Sequence, residues 1–173
     1  TPLRGSKFTL YEGGTRVPLI ISQPGSLPED QISDNVVSAF DLLPTMLSVA
    51  GEDVPEFADG IDLIPLLKGN TPELQHDVLH WKTADEWSVR QGDWKLHTVH
   101  GEGAAPVEKV ELEQGVFLRN LRTDPSESIN FAQQNSEILA KLEGFHQAWI
   151  ATLPKSLSKV PSATEWAEAP KEK

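Results

Sequence analysis

The chain has 173 residues, with 15 Lys+Arg against 26 Asp+Glu and a formal net charge of −11. This length accommodates one domain of ordinary size, or a medium domain and a small one. The acidic surplus disfavours nucleic-acid binding and electrostatic docking on an anionic membrane. The absence of cysteine excludes disulfide scaffolds, Cys-ligated metal centres and a cysteine nucleophile. Because the chain opens at Thr1 without an initiator Met, we expect it to be a piece of a longer protein.

The first 70 residues have the sequence pattern expected of the end of an α/β sheet domain. The apolar, β-branched run 17–21 lies between Gly-Gly and Pro-Gly turns and predicts a buried strand. Residues 41–51 predict a helix, with Asp41 as its N-cap and Gly51 as its stop. Residues 62–69 predict a short helix with Asp as cap, Pro in the first turn and Gly as stop.

The sequence pattern changes after a polar linker at 70–76. Short strand-like segments follow, with the hairpin signal Gly92-Asp93 between two of them, and then a turn at 124–127. Apolar residues at helical spacing predict a helix over 129–153. We therefore expect a small antiparallel sheet covered by one helix over 76–155, followed by a polar tail at 156–173. The predicted strands are 78–82, 87–90, 94–99 and 116–121.

A catalytic inventory taken from the residues alone is short. The sequence has no Walker loop and no G-x-G-x-x-G. His76 and His80 have H-x-x-x-H spacing, but without the Glu of H-E-x-x-H and with the second His in a strand-like run they are a weak zinc signal. We therefore expect the five histidines to be surface or packing residues and predict no metal ligand in this chain.

Residues 3–18, L-R-G-S-K-F-T-L-Y-E-G-G-T-R-V-P, resemble the lysine-bearing signature of the sulfatase family in the alkaline-phosphatase-like superfamily. The family pattern G-K-x-T-x-Y-E-G-G-x-R-x-P matches at every fixed position except the Gly before the lysine, which is Ser6 here. Further resemblances follow in family order and extend to about residue 150. They are the helix at 38–45, the segment 59–69, the hairpin V-R-Q-G-D-W-K-L at 89–96 and the L-x-x-D-P-x-E-x-x-N turn at 121–130.

The resemblance implies an α/β fold, in which the end of a large alkaline-phosphatase-like sheet domain is followed by a small antiparallel sheet and a C-terminal helix. Residues 1–70 would then be the C-terminal part of the catalytic domain, and 76–155 the small subdomain. The implied activity is sulfate-ester hydrolysis by an arylsulfatase-like enzyme. The intact family member uses calcium and formylglycine, neither of which we expect residues of this chain to bind. The resemblance also implies a periplasmic or secreted protein.

Lys7 is the residue that the resemblance assigns to catalysis and substrate binding. A compact ammonium can hold a sulfuryl oxygen and the ester oxygen together while charge gathers on them. We expect Glu12 and Arg16 to give structural support, with Glu12 paired to Arg16 or bound by backbone N–H groups. The following Gly-Gly pair indicates a tight turn with positive φ or a close backbone approach. His80 is a further candidate for substrate contact, although packing of its ring in the small sheet is the competing interpretation.

The departures from the family limit what this chain does alone. The nucleophile motif C/S-x-P-x-R is absent, so we expect these residues by themselves to be inactive. The expected partners are an aryl sulfate or sulfated carbohydrate and the remainder of a sulfatase chain. One alternative is a phosphodiesterase or phosphonate hydrolase of the same superfamily. Another is a non-catalytic module that binds a glycan or a protein through exposed aromatic side chains, although we favour packing of these side chains beneath the helix. Those side chains are Trp81, Trp87, Trp94 and Phe117.

Overall fold

In a computed structural model of the chain, the described residues are 3–70, 76–83, 86–99 and 115–154. Two compact units are present. The first joins Thr1–Pro18 to Val78–Lys173, and the second is Leu19–Asp77. The domain boundaries expected from the sequence, 1–70 and 76–155, stay a prediction for the intact protein. In this structure the first 18 residues belong to the same compact unit as the antiparallel sheet. The predicted tail at 156–173 and most of the linker lie outside the described residues. None of the helices in the described ranges is long and apolar enough to cross a membrane.

The first unit contains a four-stranded antiparallel sheet in the order β1-β2-β3-β4. All four strands predicted from the sequence are confirmed to within one residue. The predicted hairpin turn between β2 and β3 is also confirmed, because Gly92 has φ 55°, a conformation that glycine adopts without a side-chain clash. The strands are β1 Leu79–Lys82, β2 Trp87–Gln91, β3 Trp94–Val99 and β4 Gly115–Asn120.

One row of apolar side chains across this sheet forms the core of the first unit. Val89 on β2 is the cross-strand partner of Leu96 on β3, which in turn pairs with Leu118 on β4. Leu142, from the C-terminal helix, completes the cluster, and all four side chains are buried. Burying a Leu or Val side chain stabilises a fold by roughly 1.5–3 kcal/mol, so this row fixes the sheet against the helix.

The C-terminal helix, Ser136–Thr152, begins seven residues later than the sequence predicts. The segment before it is bound to β4 instead. The Leu118 N–H donates to Asn130 Oδ1 at 3.1 Å, and the Phe131 N–H donates to the Leu118 carbonyl at 2.8 Å. The apolar spacing that predicts a helix from residue 129 is therefore wrong for these residues, because long-range hydrogen bonds to the strand replace helical ones.

The second unit is built around a buried carboxylate. A 3₁₀ turn at Ala39–Asp41 leads into the helix Leu42–Ala50, which ends at Gly51 with φ 76°, as predicted. Asp41 Oδ2 accepts the Ser38 N–H at 2.6 Å, and Asp41 Oδ1 accepts the Ile61 N–H at 2.9 Å. Asp41 Oδ2 also lies 2.9 Å from His76 Nε2. Asp41 precedes the helix as its N-cap residue, but its side chain caps the preceding turn and makes no cap bond to the helix.

The predicted short helix is present at Ile64–Leu67, and the Ile64 N–H donates to Asp62 Oδ1 at 2.9 Å. The strand predicted at 17–21 is wrong for this structure, in which no described residue pairs with that run. A β-branched run forms a strand only where a neighbouring strand accepts its hydrogen bonds. The side chains of Val17 and Ile20 are accordingly 73% and 91% exposed.

The close approach of Gly60 to the 3₁₀ turn generates a stability prediction for the second unit. A Cβ at Gly60 would lie 2.1 Å from the Phe40 carbonyl oxygen and 2.9 Å from Asp41 Cα, which are backbone atoms that cannot rotate away. Gly60→Ala should therefore destabilise this unit by about 1–3 kcal/mol. Amide exchange of Ile61 should accelerate roughly tenfold to a hundredfold. Gly144→Ala, where a Cβ meets nothing within 4 Å, is the control and should leave that exchange unchanged.

The histidines between the sheet and the C-terminal helix generate a pH prediction. His146 stacks on Trp87 with ring centroids 3.8 Å apart. Burial, and then the charge of Lys82, lower the pKa of His146, while burial and His146 lower the pKa of His80 to about 4. Below about pH 6.5 these two histidines therefore bind more protons in the unfolded chain than in the folded chain, and their contribution to the free energy of unfolding should fall between pH 6.5 and 4.

His146→Phe keeps a ring against Trp87 and removes the titrating group. The slope of unfolding free energy against pH should become shallower in this variant, by at most the contribution of about one proton. Urea unfolding followed by tryptophan fluorescence at pH 7.5, 6 and 5 measures the slope. An unchanged slope would show that His146 titrates alike in the folded and unfolded chains.

Candidate functional site

Lys7 lies in a short loop that is closed by its own hydrogen bonds. The Thr9 N–H and Oγ1 both donate to the Ser6 carbonyl, at 3.0 and 2.8 Å. Gly5 and Phe8 both have positive φ, 78° and 76°. A bulky residue is strained in that conformation and keeps it only where the surroundings hold the backbone. Lys7 itself is exposed, and its Nζ lies 4.7 Å from the centroid of the Phe8 ring, which is 68% exposed.

The two glycines after Glu12 allow this loop to lie directly on the helical turn α1, Glu12–Thr15. A Cβ at Gly14 would lie 2.1 Å from the Thr9 carbonyl oxygen, and a Cβ at Gly13 would lie 2.5 Å from the Arg4 carbonyl oxygen. The Gly13 N–H donates to that Arg4 oxygen at 2.7 Å. The sequence left open a positive φ or a close backbone approach, and the structure shows the close approach.

Three buried charged side chains, Glu12, Lys95 and Glu127, meet beneath α1, and we call them the anchor cluster. Lys95 Nζ lies 2.9 Å from Glu12 Oε1 and 3.1 Å from Glu127 Oε1. The Glu12 N–H donates to Glu127 Oε2 at 2.5 Å. The expectation that Glu12 pairs with Arg16 is wrong, because Arg16 is exposed and the carboxylate of Glu12 points to Lys95.

The anchor cluster is almost completely removed from water. Glu12, Lys95 and Glu127 are 4%, 1% and 0% exposed. An uncompensated buried charge costs several kcal/mol, so the arrangement depends on every charge having an opposite neighbour. Arg90 Nη1, 3.9 Å from Glu12 Oε2, adds a second positive charge opposite the two carboxylates. Burial raises the pKa of Glu127, against the opposing effect of Lys95.

A layer of aromatic and cationic side chains adjoins the anchor cluster. The Arg4 guanidinium lies 4.8 Å from the centroid of the Tyr11 ring, and its Nη1 donates to the Glu127 carbonyl at 3.2 Å. The ring of His97 meets Tyr11 edge-on at 4.8 Å. Burial, with the charges of Lys95, Arg119 and Arg4, lowers the pKa of His97 to about 2. His97 is therefore neutral at physiological pH and packs as an uncharged ring.

His80, the second candidate for substrate contact, lies on β1 against the C-terminal helix. Its ring stacks on Trp149 with centroids 4.7 Å apart and planes within 6°. The proposed contact between His80 and the substrate stays a prediction. Of the aromatic side chains in the binding-module alternative, Trp87 and Trp94 pack against the core cluster that contains Leu142 of the C-terminal helix, as the packing interpretation expects. Phe117 is instead buried in a separate cluster with Tyr11, and Trp81 is half-buried.

The described residues do not fit a metal centre of the kind that the resemblance implies. No group of three or more His, Cys, Asp or Glu side chains in these ranges could hold a metal ion. The sequence contains no cysteine that could become formylglycine. We therefore assign no step to calcium or to formylglycine on this chain.

Sequence reasoning missed Lys95 and Glu127 as parts of the site. A signal was present, because each occupies a position in a separate family-like segment. Lys95 is the lysine of V-R-Q-G-D-W-K-L, and Glu127 is the glutamate of D-P-x-E-x-x-N. Charged residues inside three separate motifs indicate one shared contact, although the sequence alone does not show which charges meet.

Comparisons with known proteins place these features in one family. The family model described as "N-sulphoglucosamine sulphohydrolase, C-terminal" matches residues 6–147. Arylsulfatase A of Bos taurus is 30% identical over 152 residues, covering 79% of this chain and 30% of the relative. Arylsulfatase K of Homo sapiens is 33% identical over 143 residues, covering 79% of this chain and 26% of the relative.

Solved structures share the fold. The crystal structure of Ps i-CgsB in complex with k-i-k-neocarrahexaose matches with a TM-score of 0.74 and 25% identity, covering 96% of this chain and 35% of that one. The chain thus spans about a third of the length of the proteins that it matches. Since the family model covers most of its residues, the chain belongs to the sulfatase family of sulfuric ester hydrolases, of which it has the C-terminal part in the alkaline-phosphatase-like fold.

Proposed function

We propose that this chain is the C-terminal part of an enzyme that hydrolyses sulfate esters, and that Lys7 binds the ester group of the substrate. The observation that carries the proposal is the exposed ammonium of Lys7 on a loop that is otherwise tied down. The neighbouring charges are already used, because Arg4 contacts Tyr11 and Glu127, and Glu12 contacts Lys95. A strained backbone costs free energy, and an exposed charge contributes little to stability. An exposed lysine on such a loop is therefore better explained by the binding of an anionic ligand than by a contribution to stability.

The chemistry asked of Lys7 is electrostatic. When the bond between sulfur and the ester oxygen breaks, negative charge develops on the leaving oxygen and stays on the sulfuryl oxygens. A compact ammonium that donates to one sulfuryl oxygen and to the ester oxygen stabilises that charge, more so where water is excluded. This role requires no proton transfer to or from the lysine.

The rest of the sulfatase chain is the partner that the second unit requires. Apolar side chains there are exposed to an extent that is unusual for a stable soluble surface, with Ile20, Ile32 and Phe57 at 91%, 96% and 80%. We propose that the remainder of the α/β domain covers them and supplies the nucleophile and metal ligands. These 173 residues alone should then be inactive.

The proposed substrate class is an aryl sulfate or a sulfated carbohydrate. The names of the relatives support both, since several are arylsulfatases and one similar structure holds a carrageenan oligosaccharide. The alternative of a phosphodiesterase or phosphonate hydrolase predicts the opposite preference between two synthetic esters. The relative rates on an aryl sulfate and an aryl phosphodiester therefore separate the two.

Lys7→Ala in the intact protein tests the proposal. The value of kcat/KM on an aryl sulfate should fall by roughly a hundredfold to a thousandfold, because the variant lacks one preorganised charge at the developing anion. Steady-state kinetics measures the loss. Lys7→Arg keeps the charge in a larger, planar group and should recover only part of the activity.

Lys141→Ala is the matched control, because it removes an exposed lysine of the same unit that lies 5.6 Å from the Phe145 ring. It should leave kcat/KM unchanged. Equal rates for the wild type and Lys7→Ala, in an otherwise active enzyme, would refute the role of Lys7. Faster turnover of the phosphodiester than of the sulfate would refute the substrate class.

A further inference from the structure

We propose that Lys95 is a positioning residue for sulfate-ester hydrolysis, which holds the Lys7 loop in place through Glu12 and Glu127 without touching the substrate. The inference rests on the role proposed above for Lys7. It adds that the placement of this exposed ammonium is set by a buried ammonium on β3, 88 positions later in the sequence.

The first path from Lys95 to the loop runs through Glu12. Lys95 Nζ donates to Glu12 Oε1 at 2.9 Å, and Glu12 is the first residue of α1. The backbone of α1 in turn packs on the loop. The Gly13 N–H donates to the Arg4 carbonyl, and a side chain at Gly14 would collide with the carbonyls of Ser6 and Thr9. A shift of Glu12 is therefore transmitted to the segment that carries Lys7.

The second path runs through Glu127, which holds both ends of the loop. Its carbonyl accepts from Arg4, before the loop, at 3.2 Å. Its Oε2 accepts the backbone N–H of Glu12, after the loop, at 2.5 Å. The carboxylate of Glu127 is fully buried, and the contact with Lys95 at 3.1 Å compensates its charge. Lys95 is thus bound to both residues that determine where the loop begins and ends.

Among the described residues, none holds Lys7 itself in a comparable way. The side chain is exposed, and its recorded contact is with the neighbouring ring of Phe8. The direction of the ammonium consequently depends on the backbone beneath it. A displacement of about 1 Å at a catalytic group can cost roughly a hundredfold in rate, so loosening the anchor cluster should impair catalysis even though every substrate-contacting group remains.

Lys95→Met in the intact protein, alone and combined with Lys7→Ala, is the test. Alone, it should lower kcat/KM on an aryl sulfate by roughly tenfold to a hundredfold. In the Lys7→Ala background it should lower kcat/KM by less than about threefold, because the residue that it positions is already gone. Equal losses in both backgrounds would overturn the proposal, since a general structural role acts regardless of Lys7. Arg122→Met, which breaks the exposed pair with Asp93 on the same unit, should change neither background.

Glu127→Gln keeps the test informative if Lys95→Met folds poorly. The amide oxygen still accepts the Glu12 N–H, while the charge that Lys95 compensates is removed. This variant should show a smaller loss, roughly threefold to tenfold, and the same dependence on Lys7. A loss of the same size in the Lys7→Ala background would again contradict positioning.

Amide hydrogen exchange of the intact protein separates failure of the inference from failure of the proposed function. In Lys95→Met the amides of Glu12 and Gly13 should exchange roughly tenfold faster or more, while those of Leu96 and Leu118 in the core keep their protection. Unchanged exchange at Glu12 and Gly13 would overturn the positioning role by itself. An inactive wild-type protein, or an active enzyme indifferent to Lys7→Ala, would instead refute the proposed function.

Discussion

The structure of the first unit depends on one buried ammonium between two buried carboxylates. Lys95 joins Glu12, which is 83 positions away in sequence, to Glu127, and the backbone of Glu12 reaches Glu127 across 115 positions. No apolar contact imposes such specificity, because each charge must meet an opposite charge at hydrogen-bond distance or suffer the cost of burial alone. This constraint explains why the first residues of the chain fold onto a sheet formed far later in the sequence.

Each residue of the Tyr-Glu-Gly-Gly segment has a different structural role in or beside the anchor cluster. Glu12 supplies the buried charge, and Tyr11 supplies a buried ring beside Arg4 and His97. The glycines Gly13 and Gly14 supply only the absence of a side chain, so that the loop lies against the turn. None of these residues needs to touch a substrate. Lys7 is left as the exposed charge, at the place where the other groups hold the backbone.

The local features of this fold follow from the sequence, whereas the site follows only in part. The four short strands, the turn at Gly92 and the helix stop at Gly51 are predictable, because each depends on residues within a few positions. The Lys7 loop was identified through its resemblance to a family signature. For Glu12 the sequence left two alternatives, a pair with Arg16 or bonds from backbone N–H groups. The pair with Arg16 is wrong, because the carboxylate binds the buried Lys95, which lies far away in the sequence. The strand at 17–21 failed for a similar reason, because a strand needs a partner that the local sequence does not specify.

A buried ion cluster is weak support for stability, because well-packed apolar residues of similar volume often serve a fold equally well. The advantage of the cluster here is that its hydrogen bonds and ion pairs have defined directions and partners. Apolar contacts are non-directional, so apolar side chains at the positions of Lys95 and Glu127 would not by themselves fix the position of α1. The hydrogen bonds of the anchor cluster do, because Glu127 binds the chain on both sides of the Lys7 loop. A site that binds a small anion through one ammonium needs that ammonium in a fixed position. The anchor cluster provides this position at the cost of desolvating three charges, so its role is better explained by function than by stability.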